Sequence, residues 1–451
     1  MDIVIKNGTI VNAGYSFKAD IGIRKGKIES LGENLSGMEN IDASGKYIFP
    51  GLIEVHSQLE SSFEQTRSVD SIYKGSQAAA CGGVTTLIDQ IEQKPDESLL
   101  EAFKNKEQRV EPHAAVDYSY HVHLNQVDES TLTEIPELIE KGLPSFEVSL
   151  QHPKTKKSIK GTDLARLMKK LSECNSQLLI NSGNQLIFKL KRLQNELQEN
   201  AEAIPRFPFL WPPEVEAESV LRLLNLSEIF PVPLYFHNLT TRAGLKALQE
   251  YMGNHRNIYS GSSIHYLTHS DHVYETPEAR NYTVAPPLRK PDDQQALWQG
   301  VRTGLLQALA TSHCAFTPEQ KKLGTDLGLI PPGLSNIGAL LYVLYTEGVG
   351  GKKISLNQMV NLTSTQPAQI FGLAQKGAIA VGKDADLVIF DPLEKWTLGH
   401  ADMNSDSLFS IYEDMDIQGK VLMTFLRGKI VCENGRFVGE QGAGQRVERG
   451  L

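Results

Sequence analysis

The chain has 451 residues, 40% of them hydrophobic and 22% charged, with a formal net charge of −9. This length exceeds one small core and fits a barrel-sized unit plus a modest second one. No apolar run is long enough to span a bilayer, there is no long Lys/Arg block, and Lys189 to Arg192 is short and reads as a helix face, so membrane insertion and nucleic-acid binding are set aside.

The opening residues read as short strands separated by glycine turns: Ile3 to Ile5, Gly8 to Val11, Ala19 to Arg24 and Gly26 to Ile28. The start lacks the basic and apolar regions of a signal peptide, and Cys81, Cys174, Cys314 and Cys432 form no Cys-x-x-Cys pair. The expected setting is therefore reduced and cytoplasmic, with Cys81 and Cys314 buried as small apolar residues.

Pro50 to Glu60 follows, and its His56-Ser-Gln58 has the form of a metal-binding His-x-His strand end with the second histidine replaced. Residues i and i+2 of a strand share a face, so such a pair would aim both side chains at one ion, and a Gln amide is a poor zinc ligand. Apolar strand-like runs then alternate with longer helical patterns: Val84 to Asp89, Ala115 to His121, Phe146 to Leu150, Leu178 to Asn181, Leu234 to Asn238 and Leu306 to Ser312. This alternation predicts an α/β fold, a (β/α)8 TIM-type barrel over residues 50–380 with its active site where the strands end. The short-strand texture returns at Ala385 to Phe390, Gly419 to Phe425, Gly428 to Cys432 and Gly435 to Val438. Residues 1–49 and 381–451 are thus expected to build one small flanking β-sandwich, with the polar tail from Gly439 loose unless a subunit contact holds it.

Several stretches carry a resemblance. Ser364-Thr-Gln-Pro-Ala-Gln-Ile-Phe-Gly-Leu373 followed by Lys376 to Asp391, Ala78 to Thr86, Pro212-Pro-Glu-Val-Glu-Ala217, Pro286-Pro-Leu-Arg289 and Tyr412 to Gly419 together resemble the hydantoinases and dihydropyrimidinases of the amidohydrolase superfamily, over essentially the whole chain. The resemblance implies the barrel and sandwich, a homo-oligomer (dimer or tetramer), and hydrolysis of a cyclic amide by a hydroxide held between two zinc ions.

Carried over position by position, those metal ligands are mostly absent. The His-x-His pair falls on His56 and Gln58. The carboxylated lysine falls on Glu147 of Ser145-Phe-Glu147-Val148, which carries a carboxylate on a shorter arm. The remaining ligand positions fall on Asn181, Asn238 and Ser312, the last in place of the aspartate that also takes the proton from the attacking water. The oxyanion-stabilising tyrosine falls on His152, and a substrate-contacting asparagine on Pro332. A four-ligand structural zinc site is worth ~10–16 kcal/mol, so one remaining histidine supplies ~3–4 kcal/mol, or roughly millimolar binding.

The expectation is therefore a hydantoinase-like pseudoenzyme, without a cofactor, in which Gln58, Glu147, Asn181, Asn238 and Ser312 line a metal-free polar cavity that serves binding or scaffolding, with protein partners unspecified. One alternative is a C–N hydrolase with one zinc ion in a displaced site drawn from His56, His121, His123, Glu147 and His237. A second is a metal-independent small-molecule binder. His121-Val-His123 has true His-x-His spacing. His237 stands one place before the lost ligand position, and strict alternation turns it outward, toward the helices, unless a bulge or a one-residue register shift brings it inward.

Overall fold

The computed structural model describes residues 1–94, 97–151, 159, 161–194, 204–252, 257–324 and 327–451. His152 lies outside them.

Eight parallel strands pair in chain order: Leu52–Ser57, Val84–Glu92, Asp117–His123, Ser145–Ser149, Gln177–Asn181, Leu234–His237, Ile258–Ser263 and Ala308–Ala310. The strands are buried on both faces, which is why most read as apolar runs rather than as an alternating pattern. Glu54 closes the ring. It is fully buried, its Oε1 accepts the His56 N–H at 2.9 Å, and its Oε2 accepts the Thr311 N–H at 2.8 Å, tying the first strand to the residue after the last. A bridge between Ser57 and His313, with Gln58 N–H donating to the His313 carbonyl at 2.9 Å, extends that seam. Inside, Val55, Ile88, Leu179, Tyr235, Ala308 and Phe371 fill the lower barrel, so the ring is a packed core.

Two further sheets come from the chain ends. Tyr47–Pro50 pairs with Leu387–Leu398 inside a seven-stranded sheet, and a four-stranded sheet built from residues 3–42 packs on it through Ile5, Ile21, Ile23, Ile48 and Phe425. Cys81, at the end of the first barrel helix, meets Cys432 of the sandwich with the sulfur atoms 2.6 Å apart, and Cys81 and Cys314 are both buried.

At the barrel floor Lys376 sits among Asp117, Asp384 and Asp386 at 2.5, 3.0 and 2.6 Å, and Arg427 adds a second cation at Asp117. The tail is not loose. Gly444 N–H donates to the Ala114 carbonyl at 2.9 Å, Val447 N–H to that of Tyr118 at 2.7 Å, and Arg449 is only 4% exposed. Backbone pairing against the third strand holds it within the chain itself, a long-range partnership that polar, glycine-rich composition does not reveal. Among the described residues, no helix is long and apolar enough to cross a membrane.

Candidate metal centre

Four barrel strands bring the cluster together. Glu147, two residues after Ser145, rises from the fourth strand with its Oε1 at 3.3 Å from His56 Nε2 of the first, 3.2 Å from His237 Nε2 of the sixth and 3.6 Å from His123 Nδ1 of the third. All four side chains are buried. The His56 and His237 rings stack with centroids 4.5 Å apart. The other carboxylate oxygen, Oε2, accepts from Gln90 Nε2 at 2.7 Å, and the same amide lies 3.2 Å from His123 Nδ1.

His237 is turned inward. It shares a face with Tyr235, whose ring packs on Phe371 inside the barrel at 4.9 Å, so the strand's inward phase runs through 235 and 237. Asn238 follows in the left-handed backbone region at φ 54°, which ends the extended alternation and lets its side chain reach the same cavity. The outward expectation failed because it assumed an unbroken strand through Asn238. Glu216 fixes the turn, accepting from both the backbone and the hydroxyl of Thr240 and Thr241 at 2.7–3.2 Å.

Gln58, Asn181, Asn238, Ser312 and Pro332 all line one cavity of roughly 150 Å3 together with His56, His123 and Glu147. The asparagine and the serine turn toward each other: Ser312 Oγ donates to Asn238 Oδ1 at 3.0 Å, and Ser263 Oγ lies 2.5 Å from that oxygen and 2.7 Å from Ser312 Oγ. This uncharged triangle occupies the place where the resemblance puts a histidine and an aspartate. Phe63, Val284 and Phe316 supply an apolar wall, and Gly333 is required beside Pro332 because a Cβ there would stand 2.2 Å from the Cys314 carbonyl oxygen.

His121 is not part of the cluster. Both its ring nitrogens are engaged one layer below, Nδ1 with Ser145 Oγ at 2.6 Å and Nε2 with the Val55 carbonyl at 3.0 Å, which leaves no lone pair for an ion. Burial, then the nearby Arg449 charge, holds its pKa well below the usual value. His265 lines the cavity but is pushed down to about 3 by burial. His313 is fully buried, with Nε2 3.0 Å from Asp70.

Within the cluster, burial opposes charge on His56, yet the Glu147 carboxylate outweighs it and raises the imidazole above its ordinary value. Burial likewise pushes Glu147 up, and the charges of the neighbouring imidazoles, His56 and then His237, hold it well below the usual carboxylate range. Burial keeps His237 low despite Glu147.

Two observations show that these residues suit a metal ion. Charge-assisted hydrogen bonds settle at ~2.7–2.9 Å, whereas a tetrahedral ion with bonds of ~2.0–2.2 Å sets its donors ~3.3–3.6 Å apart. The separations of 3.2 and 3.3 Å between Glu147 and the two imidazoles are longer than the first pattern and lie at the short edge of the second, and one ligand atom from each of His56, Glu147 and His237 lies within 4.8 Å of the others. Moreover, His237 Nε2, the atom that faces Glu147, is buried without a hydrogen-bond partner, a cost that native interiors seldom carry without a reason.

Gln90, Ser263, Glu54 and Glu216 escaped the sequence reading. Glu54 was findable, because Glu54-Val-His56 is itself an i, i+2 pair on the strand that carries His56. Gln90 and Ser263 carried no such signal.

Comparison with known proteins places this arrangement. The amidohydrolase family model matches residues 244–431. The chain is 33% identical to a D-phenylhydantoinase of Escherichia coli O7:K1 over 458 aligned positions, covering 100% of this chain and 98% of that one. The solved D-hydantoinase of a Bacillus sp. AR9 superposes with a TM-score of 0.95 at 31% identity, covering 99% of both chains. The dihydropyrimidinase of Brevibacillus agri NCHU1002 does so at 0.95 and 30%, covering 100% of this chain and 99% of that one. The barrel and the two-ended sandwich are thus those of an amidohydrolase. Within that class the chain belongs to the hydantoinase and dihydropyrimidinase family.

Proposed function

We propose that this protein is a single-metal hydrolase of C–N bonds in cyclic amides or ureides, with the family's dinuclear centre reduced to one ion held by His56, Glu147 and His237. The observation that carries the reading is the separation of 3.2 and 3.3 Å between Glu147 Oε1 and the two imidazole Nε2 atoms. Two histidines and one glutamate with a fourth position open to the cavity is a donor set of catalytic rather than structural zinc sites. Such an ion, when bound, polarises a carbonyl and lowers the pKa of water to ~7.

The chain's own residues do the rest. Gln90 holds the second Glu147 oxygen and so orients the carboxylate. His123 lines the cavity beside Glu147 and is the imidazole placed to take up and return a proton where Ser312 no longer can. Phe63, Val284 and Phe316 cover the ring of a cyclic substrate, while Asn181, Asn238 and Gln58 offer amides to its polar edge.

Zinc- or manganese-loaded protein is expected to open phenylhydantoin or a dihydropyrimidine with saturable kinetics, and His237→Ala to abolish that activity. Metal-loaded protein that turns over neither ring would overturn the hydrolytic assignment.

A second reading is favoured by the Asn238–Ser263–Ser312 triangle, which satisfies its own hydrogen bonds and provides no proton acceptor. In that reading the barrel binds a cyclic amide without cleaving it, and ligand raises Tm without turnover. We further propose that the chain self-associates. Leu186, Leu190 and Leu193, spaced along the helix Gln185–Gln194, are 76%, 51% and 64% exposed, and Phe209 is 63% exposed. Light scattering of Leu190→Glu against wild type tests this: a drop in mass supports it, and an unchanged mass contradicts it.

A further inference from the structure

The C-terminal tail delivers a charge to the barrel's interior that the proposed chemistry does not use. From Gly444 it runs against the third strand. Tyr118 N–H donates to the Gln445 carbonyl at 3.0 Å and Val447 N–H to Tyr118 at 2.7 Å, and Arg449 N–H then reaches the Gly142 carbonyl at 3.1 Å. The seat is close-fitting: a Cβ on Gly444 would lie 2.0 Å from the Val116 carbonyl oxygen, and one on Gly372 would lie 2.1 Å from that of Gly450.

The Arg449 guanidinium is buried, and no described carboxylate lies within ion-pair distance of it. Its Nη1 has no partner. A buried cation without a counter-charge is costly, and burial alone pulls this one down to about 9.

The hydrogen bonds around it have only one consistent direction. Nε donates to Ser119 Oγ at 2.9 Å, and Nη2 donates to Ser145 Oγ at 2.6 Å and to the Tyr120 carbonyl. The Val55 carbonyl can only accept, so His121, 3.0 Å away, donates to it from Nε2. Its Nδ1 then accepts from the Ser145 hydroxyl at 2.6 Å, and Ser145 Oγ in turn accepts from the Arg449 guanidinium, which cannot accept. The relay thus runs from the tail through the fourth and third strands to the first. Each strand it pins carries a cluster residue immediately above: Glu147 two residues after Ser145, His123 two residues after His121, and His56 next to Val55. Since i and i+2 share a face, fixing Ser145 and His121 fixes the directions of Glu147 and His123, while the bond to the Val55 carbonyl holds the peptide that leads into His56.

We propose that Arg449 is a positioning residue for the His56–Glu147–His237 site, ordering the Ser145–His121–Val55 relay that sets Glu147, His123 and His56 at their mutual distances. This rests on reading that cluster as a metal site, so the test has one arm that needs no metal.

In the metal-free arm, ring 15N spectra of histidine-labelled protein are compared between wild type, Arg449→Gln and Arg449→Lys. Wild type is expected to show His121 as the Nε2–H tautomer in slow exchange. Arg449→Gln should keep the tautomer set by the Val55 carbonyl but shift the His121 Nδ1 resonance and the His56 and His123 ring resonances, with Arg449→Lys, which keeps the charge without the fork, between the two. In the second arm, cobalt(II) titrated into the same proteins should bind Arg449→Gln about tenfold more weakly, the lower end of the loss seen when supports behind ligands are removed, with an altered visible spectrum. A variant that merely melts earlier, with His56 and His123 resonances and cobalt affinity unchanged, would reduce Arg449 to a plug and overturn the proposal. Wild type that takes no cobalt would count against the metal reading alone, and the ring spectra would still decide the role of Arg449. If Arg449→Gln does not fold, unchanged His56 and His123 resonances in Arg449→Lys overturn the proposal, and shifted ones support it.

Discussion

The two ends of the barrel differ in how they treat buried polar atoms. At the floor, Lys376 is surrounded by three carboxylates and Arg427 pairs with one of them. At the mouth, His237 Nε2 faces the Glu147 carboxylate at 3.2 Å without a hydrogen-bond partner. The floor is arranged for stability and for joining barrel, sandwich and tail. The mouth forgoes stability where a ligand would supply the missing partners.

The contrast is broken most severely at the floor. Lys376→Met leaves Asp117, Asp384 and Asp386 facing one another in the interior, and removal of one partner from a buried ionic group costs ~3–5 kcal/mol. Urea denaturation should show that loss, and a change below ~1 kcal/mol would mean that water reaches the cluster.

Glu147→Gln, nearly isosteric, should leave the fold intact and weaken zinc binding by calorimetry about a hundredfold or more. Unchanged affinity would place the ion elsewhere. The register at the sixth strand separates neighbours: His237→Ala should lose affinity to a similar degree, while Asn238→Ala should change it less than about threefold. The reverse order would mean that Asn238, not His237, faces the ion.

A smaller effect is expected at the buried Asp70–His313 pair. Burial pushes the Asp70 carboxyl up, but the His313 hydrogen bond and charge, with bonds from Ser405 and Asp406, outweigh this and hold its pKa below the usual value. Its contribution is complete above the unfolded pKa near 3.8 and is lost as pH falls through the lower folded value. Asp70→Asn should therefore be less stable at neutral pH by about 1–2 kcal/mol and show a flatter decline in acid. Parallel acid profiles would remove the pair from the pH dependence.

Much of the fold was legible because the strands bury both faces and so appear as apolar runs, and because the strand texture of the two chain ends matched. The seventh strand, Ile258–Ser263, was missed because Ser260-Gly-Ser-Ser263 offers neither an apolar run nor β-branched bulk; its polar groups are satisfied by neighbours, as when Ser262 Oγ donates to the Leu239 carbonyl at 2.7 Å. At the site, the sequence showed which residue types had been replaced but not that the backbone after His237 leaves the strand conformation. That local break, together with the reach of Glu147 across to three histidines, is a tertiary fact. The same holds for Arg449, whose partners lie some three hundred positions away.

The most direct measurement is metal content per chain by plasma mass spectrometry, on protein purified without an affinity tag and dialysed after incubation with zinc. About one ion per chain in wild type, retained in Asn238→Ala and lost in His237→Ala, is the predicted result. Less than about 0.1 ion per chain in wild type would contradict a metal site at His56, Glu147 and His237.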